Sequence, residues 1–512
     1  MAGIHAAANF PRSVISAAVA GISVVRPSHV KMATLDRSAP PAPARSEPAA
    51  RLPPGPRLPR ILQTAGFMLG SSPWFIDACR RRFGDLVTFR TLFDSQFVMV
   101  FHPTLVKELF QGPGEQLRAG EANAMLGPVV GQRSVLLLDG SEHLRHRRLM
   151  LPPFHGRRMH AFAAAMRRSA DLEIDSWPVG RAFALLESMQ SLTLRVIMQA
   201  VFGYEPGPAE EDLRRRVREM VEPLARPRSM ALLAALPMLV GREPRLNDLF
   251  ASARRKVDEV LFAEIARRRA LGDEALAASD DVFSALLLAE DEEGERLSDA
   301  EVRDELVTLL LAGHETTATG LAWCFDLLLH APAVHARAAQ SAKAPPSGAA
   351  DPSNERYLDA VVKESLRLRP VIPGVGRVVR GEPFRLGEYV IPPGIEINPS
   401  IRVIHRREDI YPDPGAFRPE RFLVEDPPDT YSWIPFGGGT RRCLGASFAL
   451  LEMRIVLARV LERTALRAAN PKPSKVQFRS ITLAPRDGVQ VIQDRPPGRR
   501  AQSVNPALAG QP

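Results

Sequence analysis

Between Phe436 and Gly445 the chain reads Phe-Gly-Gly-Gly-Thr-Arg-Arg-Cys-Leu-Gly, a single cysteine closing a glycine-rich loop. Helical spacing follows at once, with Leu450, Met453, Leu457, Val460 and Leu461 along one stripe. A thiol at the start of a helix feels the positive end of the helix dipole and the free N–H groups of the first turn. Arg441 and Arg442 add positive charge, so the pattern predicts a thiolate at Cys443. Consecutive glycines clear side chains from a stretch of backbone, as a flat, bulky partner lying against it requires. No other segment of the chain constrains the fold so tightly.

Composition sets the outer bounds. A chain of 512 residues has room for two average domains, yet no long linker divides its middle. Hydrophobic residues make up 45%, which supports a large core and excludes a wholly disordered chain. The cysteines are Cys79, Cys324 and Cys443, odd in number and far apart, so no disulfide framework follows and a reducing compartment is expected. The formal charge of +9 is spread along the chain and reads as solubility and attraction to acidic partners, not as a nucleic-acid footprint. Ser13–Val25 is apolar but too short to span a bilayer, and no convincing cleavage site follows it. Met32 is an alternative start. Residues 1–50 are expected to be an irregular extension, 51–493 the folded domain and 494–512 a disordered tail. Residues 38–60, rich in Pro, Ala and Arg, read as an extended linker.

Within the folded part, Trp74–Phe83 looks helical, and Leu86–Arg90 with Phe97–Phe101 looks like a strand pair. Helical patterns dominate from Ala161 to Leu329, and Phe384–Asn398 is β-rich, with a turn at Ile391-Pro392-Pro393-Gly394. The expected fold class is mainly α with small β-sheets. Ser298 and Glu301 form a capping box that starts a helix running to His330, about 48 Å at 1.5 Å per residue. Leu306, Leu309, Leu310, Leu321, Trp323, Leu327 and Leu328 wrap it, so it should be buried. Ala312-Gly313-His314-Glu315-Thr316-Thr317 in its middle is polar and small where a buried helix should be neither. Small side chains at 312 and 313 leave space, and a threonine hydroxyl competes for the carbonyl of the preceding turn, so a local opening is expected.

A cysteine thiolate presented in this way suits axial ligation of haem iron. The residues alone also leave open a buried structural cysteine or a hydrolytic cysteine nucleophile. Zinc is disfavoured, because no second Cys or His lies within ligand spacing of Cys443.

The segment Phe436, two residues, Gly439, one, Arg441, one, Cys443, one, Gly445 resembles the haem-binding signature of the cytochrome P-450 monooxygenases, soluble bacterial type. The resemblance covers residues 52–490 and implies one domain holding haem b between a long distal helix and a proximal cysteine loop. It implies Cys443 as axial iron ligand, Arg441 on a haem propionate and Phe436 beside the sulfur, with Gly439, Gly445, Ala312 and Gly313 lining the cofactor. His143 and Arg147 share one helical face and resemble a second propionate clamp, and Arg377 a third. Thr316 resembles the distal proton relay, with Glu315 as outer proton source. Glu364 and Arg367, three apart on a helix, together with Arg421 in Phe417–Phe422, resemble a buried structural network locking the cysteine loop. Arg145, Arg148, Arg157 and Arg158 would then offer a landing surface for an acidic iron–sulfur protein.

No Walker loop is present, and no GxGxxG stands between a strand and a helix, so electrons are expected from another polypeptide, which the resemblance implies to be ferredoxin with ferredoxin reductase and NAD(P)H as ultimate donor. By position, Gly120–Val130, Ala225–Val240, Val371–Val375 and Ile481–Leu483 should line the substrate pocket. These are apolar, with Met125, Leu126, Met230, Leu233 and Met238 and no obvious charged anchor, which points to a fatty acid, terpenoid, steroid or polyketide. Met230–Leu236 also fits a membrane surface as well as a pocket lid. The expectation is a cytoplasmic monomer without a transmembrane anchor that uses O2 to hydroxylate or epoxidise such a molecule. A peroxide-driven relative and a non-catalytic haem sensor are the alternatives, and the Glu315–Thr316 pair argues against both.

Overall fold

Ser298 starts the helix around which the molecule is built. Its hydroxyl accepts from the Glu301 N–H at 3.4 Å, and the Glu301 carboxylate accepts from the Ser298 N–H at 2.7 Å. This is the reciprocal cap that the sequence predicts. The computed structural model describes residues 51–68, 74–92, 96–154, 158–204, 207–225, 244–343, 352–479 and 481–496. The central helix spans Asp299–Leu329 and ends at the C-cap His330. It is apolar almost all round because neighbours cover almost all of it: Leu185–Phe202 runs along it, and Pro352–Leu368 and Ala446–Arg463 close the other sides. Leu306, Leu310, Leu321 and Phe325 join Leu192, Val196, Val361 and Val456 in one core. Removing such side chains from water is the main term holding these helices together.

Among the described residues, the helical stretch expected over 161–329 is divided into Arg158–Asp175, Leu185–Phe202, Pro208–Ala225, Pro244–Arg269, Asp273–Ala277, Val282–Leu288 and the central helix, with the short strand Ala182–Ala184 between the first two. Trp74–Phe83 is helical as predicted. Leu86–Phe89 pairs antiparallel with Phe97–Val100, Val87 opposite Met99. That pair forms one edge of a five-stranded sheet that continues through Glu396–Pro399, Arg377–Val379 and Leu117–Arg118. Phe97–Val100 and Glu396–Pro399 run parallel. Both strands of the edge pair are buried throughout, which is why their sequences are apolar without alternation. Phe384–Leu386 and Tyr389–Ile391 form a hairpin. The architecture is mainly α with small β-sheets.

Two readings need correction. The proline-rich segment up to residue 60 is no free linker over its described part. Arg51 exchanges backbone hydrogen bonds with Val390 at 3.0 and 3.1 Å, and Thr88 donates to the carbonyls of Pro53 and Pro54 at 2.7 and 3.0 Å. Prolines lack the donor for a full ladder but their carbonyls still accept, so the segment is strapped to the sheet. The sequence also hid four C-terminal strands. Leu466–Ala468 and Gln490–Gln493 join Ala182–Ala184 in one sheet, and Val476–Arg479 pairs with Thr482–Pro485. Ser13–Val25, Met32, Met230, Leu233 and Met238 lie outside the described residues. Among those described, no helix is long and apolar enough to cross a membrane.

Candidate active site

The Cys443 loop is closed by its own backbone. The Cys443 N–H donates to the Phe436 carbonyl at 3.0 Å, and Gly437 N–H donates to Ile434 at 3.1 Å. Phe436 packs edge-on against Trp433, ring centroids 6.1 Å apart. The glycines have a reason that the sequence did not give. Gly439 sits at φ 65°, and a Cβ on it or on Gly438 would run into Phe110 of the helix Pro103–Gln111. The loop is therefore bare for packing against that helix. A Cβ at Gly445, by contrast, would meet nothing within 4 Å.

Cys443 lies three residues ahead of Ala446, where the C-terminal helix begins. The thiol is open to solvent, yet protein crowds it closely enough for desolvation to push its pKa up from the ordinary value. The Gly445 N–H, Arg147 and Arg442 oppose the rise. The predicted part of Arg441 in stabilising the thiolate is thus taken by Arg147, whose Nη1 donates to the Arg442 carbonyl at 2.7 Å. Arg441 turns the other way. It pairs with Asp139 at 2.5 Å and donates to the carbonyls of Val135 at 3.2 Å and of Leu138.

Around that pair the clamp residues come together. His143, on the helix Gly140–Met150, is buried, and its pKa is lowered to about 3 by burial and then by Arg441, Arg147 and Arg377. Arg377 is buried over the Phe110 ring, and burial followed by repulsion from Arg441 lowers it to about 10. Arg441 is lowered to about 10 as well, by burial first, with Asp139 opposing. Arg441 and Arg377 thus share one carboxylate, Asp139, while Arg147 and the neutral His143 stand beside them without it. Buried charge of one sign needs a partner, and a ligand with two carboxylates supplies it. With a solvent-open cysteine sulfur as soft anionic donor, the set fits haem: the sulfur would take the iron, and Arg147, Arg377, Arg441 and His143 would take the propionates.

The central helix is buried over Val302–Thr308 and again over Thr317–Leu328, but from Leu311 to Thr316 it is half-buried, and at Ala312 exposed. This window coincides with the small, polar segment Ala312–Thr317 of the sequence. Both threonines fold back on the preceding turn: Thr316 Oγ1 donates to the Ala312 carbonyl at 2.7 Å and Thr317 Oγ1 to that of Gly313 at 2.9 Å. The helix nevertheless stays unbroken, so the expected local opening is absent. Gly313 faces Ile197 of the neighbouring helix, whose Cδ1 would lie 2.8 Å from a Cβ there, so its small size serves helix packing rather than cofactor lining. Glu315 points away from the window. Gln190 Nε2 donates to its Oε2 at 2.6 Å, and Arg479 Nε lies 3.5 Å from its Oε1. Gln190 and Arg479 are distant in sequence and were missed.

The structural network is present. Arg367 forks onto both Glu364 oxygens at 2.7 and 2.8 Å, both side chains fully buried. Arg421 Nε reaches Glu364 Oε1 at 3.4 Å, and the Arg418 N–H reaches it at 2.9 Å. Arg367 also donates to the His405 carbonyl at 2.7 Å. His405, which sequence reasoning passed over, completes the lock. Its Nδ1 sits 3.2 Å from the Arg367 carbonyl, and its Nε2 accepts from the Ile434 N–H at 2.9 Å, two residues before Phe436. That pattern requires a neutral ring, and burial followed by Arg367 lowers its pKa to about 3.

A pH dependence follows. Above about pH 6.5, the ordinary value of histidine, neither folded nor unfolded chain holds this proton. As pH falls below that, the unfolded chain gains it and the folded chain does not, so stability drops with falling pH. At about pH 5 the loss reaches about 2 kcal/mol. His143 acts in the same direction, whereas His146, raised by Glu305 and Glu301 against burial, acts in the opposite one. Urea midpoints at pH 7 and about pH 5 should differ for the parent and differ less for His405→Gln; equal shifts in both would remove His405 from the explanation.

The landing-surface reading fails in part. Arg145 pairs with Asp291 at 2.5 Å and Glu301 at 3.3 Å, and Arg148 with Glu292 at 2.6 Å. Those charges are already balanced by acids of this chain. Arg158 is half-buried, and Arg157 lies outside the described residues. Of the expected pocket residues, Met125 is exposed, while Val371 and Leu483 are buried and joined by a 2.7 Å hydrogen bond from Leu483 N–H to the Val371 carbonyl.

Comparison with known proteins agrees with this geometry. The family signature described as Cytochrome P450 matches residues 52–491. Cytochrome P450 135B1 of Mycobacterium bovis is 39% identical over 445 residues, 86% of this chain and 91% of that one. Cytochrome P450 137 of Mycobacterium tuberculosis is 38% identical over 416 residues, 80% of this chain and 83% of that one. Among solved structures, the cytochrome P450DA heme domain superposes with a TM-score of 0.72 at 25% identity, covering 88% of this chain and 98% of that one. The retinoic acid-bound cyanobacterial CYP120A1 does so with a TM-score of 0.68 at 22% identity, covering 87% and 99%. The chain belongs to the cytochrome P450 family and is a haem b-dependent monooxygenase.

Proposed function

We propose that the protein inserts one oxygen atom from O2 into a lipophilic small molecule, by hydroxylation or epoxidation, with electrons delivered by a ferredoxin and its reductase from NAD(P)H. The observations that carry this reading are a solvent-open cysteine just ahead of the C-terminal helix and a partly exposed window of small and hydroxylic side chains on the long helix. When bound, haem supplies the one-electron and oxygen chemistry, and the polypeptide supplies orientation, charge and protons. Cys443 would ligate the iron as a thiolate, with its negative charge favoured by Arg147, Arg442 and the Gly445 N–H. Arg377, Arg441, Arg147 and His143 would hold the propionates and fix the ring in its slot. Ala312, with its small side chain, would leave room for the ring, and Phe436 and the loop backbone would shield the sulfur.

Protons would pass through Thr316. Its Oγ1 now donates to the Ala312 carbonyl at 2.7 Å, and a χ1 rotation frees that hydrogen for the distal space. Glu315, fixed by Gln190 and Arg479, would be the outer carboxylate from which the hydroxyl is resupplied. A positioned proton donor commonly contributes about 10²–10⁴-fold. In a reconstituted system with ferredoxin, reductase and NAD(P)H, Thr316→Ala should therefore make about 10²-fold less product while still consuming reductant, and Thr316→Ser should recover most of the coupling. Unchanged coupling in Thr316→Ala would take the relay away from this residue. Turnover with H2O2 but none with the electron-transfer proteins would make the protein a peroxygenase instead.

A further inference from the structure

His146 stands between the clamp residues His143 and Arg147 on the helix Gly140–Met150, and two acids of the central helix hold it. Its Nδ1 lies 2.7 Å from Glu305 Oε1 and its Nε2 3.2 Å from Glu301 Oε1. The imidazole and the Glu305 carboxylate are both buried. Their neighbours fix the protons. Glu305 Oε1 also accepts from the Val135 N–H at 2.8 Å, and its Oε2 is buried without a hydrogen-bond partner among the described residues, so no acceptor stands ready for a carboxyl proton. Glu301 Oε1 also accepts from Arg145 Nη1 at 3.3 Å. Both ring nitrogens therefore donate, which makes His146 an imidazolium facing two carboxylates. Burial lowers its pKa, and the bonds to Glu305 and Glu301 more than offset that and raise it.

The same acid reaches the other half of the clamp. Three consecutive residues are stitched to the central helix: the Arg133 N–H donates to Asp304 Oδ2 at 2.9 Å, Ser134 Oγ lies 2.7 Å from Thr308 Oγ1, and Val135 N–H meets Glu305. Just beyond them, the carbonyls of Val135 and Leu138 and the Asp139 carboxylate seat Arg441. Glu305 thus joins two arms. Through His146 it holds the helix that carries His143 and Arg147, and through Val135 it holds the seat of Arg441. A buried ion pair contributes less stability than well-packed apolar side chains of the same volume would. Its position, one acid between two arms, suits placing groups better than adding strength.

We propose that His146 and Glu305 are positioning residues for the propionate clamp, and that haem is held at full strength only while this pair is charged. The effect on haem rests on the clamp reading above; the tie between the two arms does not. As pH rises through the raised pKa of His146, the ring gives up the Nε2 proton, because Glu305 lies nearer than Glu301. Two lone pairs then face each other at Glu301, that link opens, and haem should leave faster. The other charged groups around the ring are already engaged. On its own helix Arg145 pairs with Asp291 and Glu301, and His143 is neutral. On the central helix Asp304 accepts from Arg303 Nη1 at 2.7 Å, and in the stitched segment Asp139 pairs with Arg441.

The test follows the rate at which the holoenzyme gives up its haem to excess apomyoglobin, read by absorbance across a range of pH. His146→Gln should lose haem about tenfold faster than the parent at about pH 6, the lower end of what partners that orient a metal site contribute. The ratio of the two rates should shrink as pH rises, because the parent ring then loses the charge that the variant never had. Cys443, whose thiolate gains with pH, acts the other way but equally in both proteins, so the ratio reads His146. A ratio that does not move with pH, or a His146→Gln protein that melts lower yet keeps its haem as the parent does, overturns the proposal. Glu305→Gln should also speed the loss, and it serves if His146→Gln does not fold. If neither folds, the parent profile decides alone: faster loss with rising pH supports the pair, and a flat or falling rate overturns it. Arg441→Gln separates the two readings. Faster loss there with none in His146→Gln removes the pair and keeps the clamp, whereas no effect in Arg441→Gln removes the clamp and the pair's role with it.

Discussion

Reduced under carbon monoxide, the Cys443→Ser protein shows none of the red-shifted Soret absorption that the parent gives. The shift needs an anionic sulfur on iron, and a serine hydroxyl stays protonated at neutral pH and is a harder, weaker donor. The substitution tests the ligand and little else. Cys443 is exposed, and its loop is held by backbone bonds to Phe436 and by the packing of Gly438 and Gly439 on Phe110, none of which uses the sulfur. Far-ultraviolet circular dichroism and the thermal midpoint should therefore stay close to those of the parent while the band disappears. A surviving band would mean that another residue ligates the metal.

The second large effect is on assembly. Glu364→Ala leaves the fully buried Arg367 with only carbonyl partners and deprives Arg421 and the Arg418 N–H of theirs. Breaking a buried pair from one side costs about 3–5 kcal/mol, a large part of the about 5–15 kcal/mol that holds a domain together. The damage is also placed to matter, because Arg367 binds the His405 carbonyl and His405 binds Ile434 at the mouth of the cysteine loop. The expected product is a protein with little haem bound, measured as the haem-to-protein ratio after expression with excess cofactor. Glu364→Gln should fare better in folding, since it keeps one acceptor, but should still load poorly. Full loading of Glu364→Ala with an unchanged melting point would show the network to be ornamental.

What the sequence reveals and hides has a physical pattern. Local chemistry is legible: the cap at Ser298 and Glu301, the i, i+3 pair of Glu364 and Arg367, and the cysteine ahead of a helix each sit within a few residues. Partners that meet only in the fold are not. Arg441 looks as though it serves Cys443, two residues away, yet its true partner is Asp139. Gln190 and Arg479 on Glu315, and His405 between Arg367 and Ile434, carry no periodic signal because each contact joins separate elements. The glycines at 438 and 439 were read as room for a cofactor, when the obstacle is Phe110, more than three hundred residues earlier. Short strands such as Leu466–Ala468 escape for another reason: a run of three residues is too brief to show alternation.

The crowd of like charges at Arg147, Arg377 and Arg441, around a His143 they keep neutral, has a bearing on the life of the protein in a cell. Until the porphyrin arrives, that corner of the molecule pushes itself apart, so the newly made chain is the weaker form, more open to chaperones and proteases. The iron and porphyrin supply of the host then sets how many copies persist, with no dedicated regulator required.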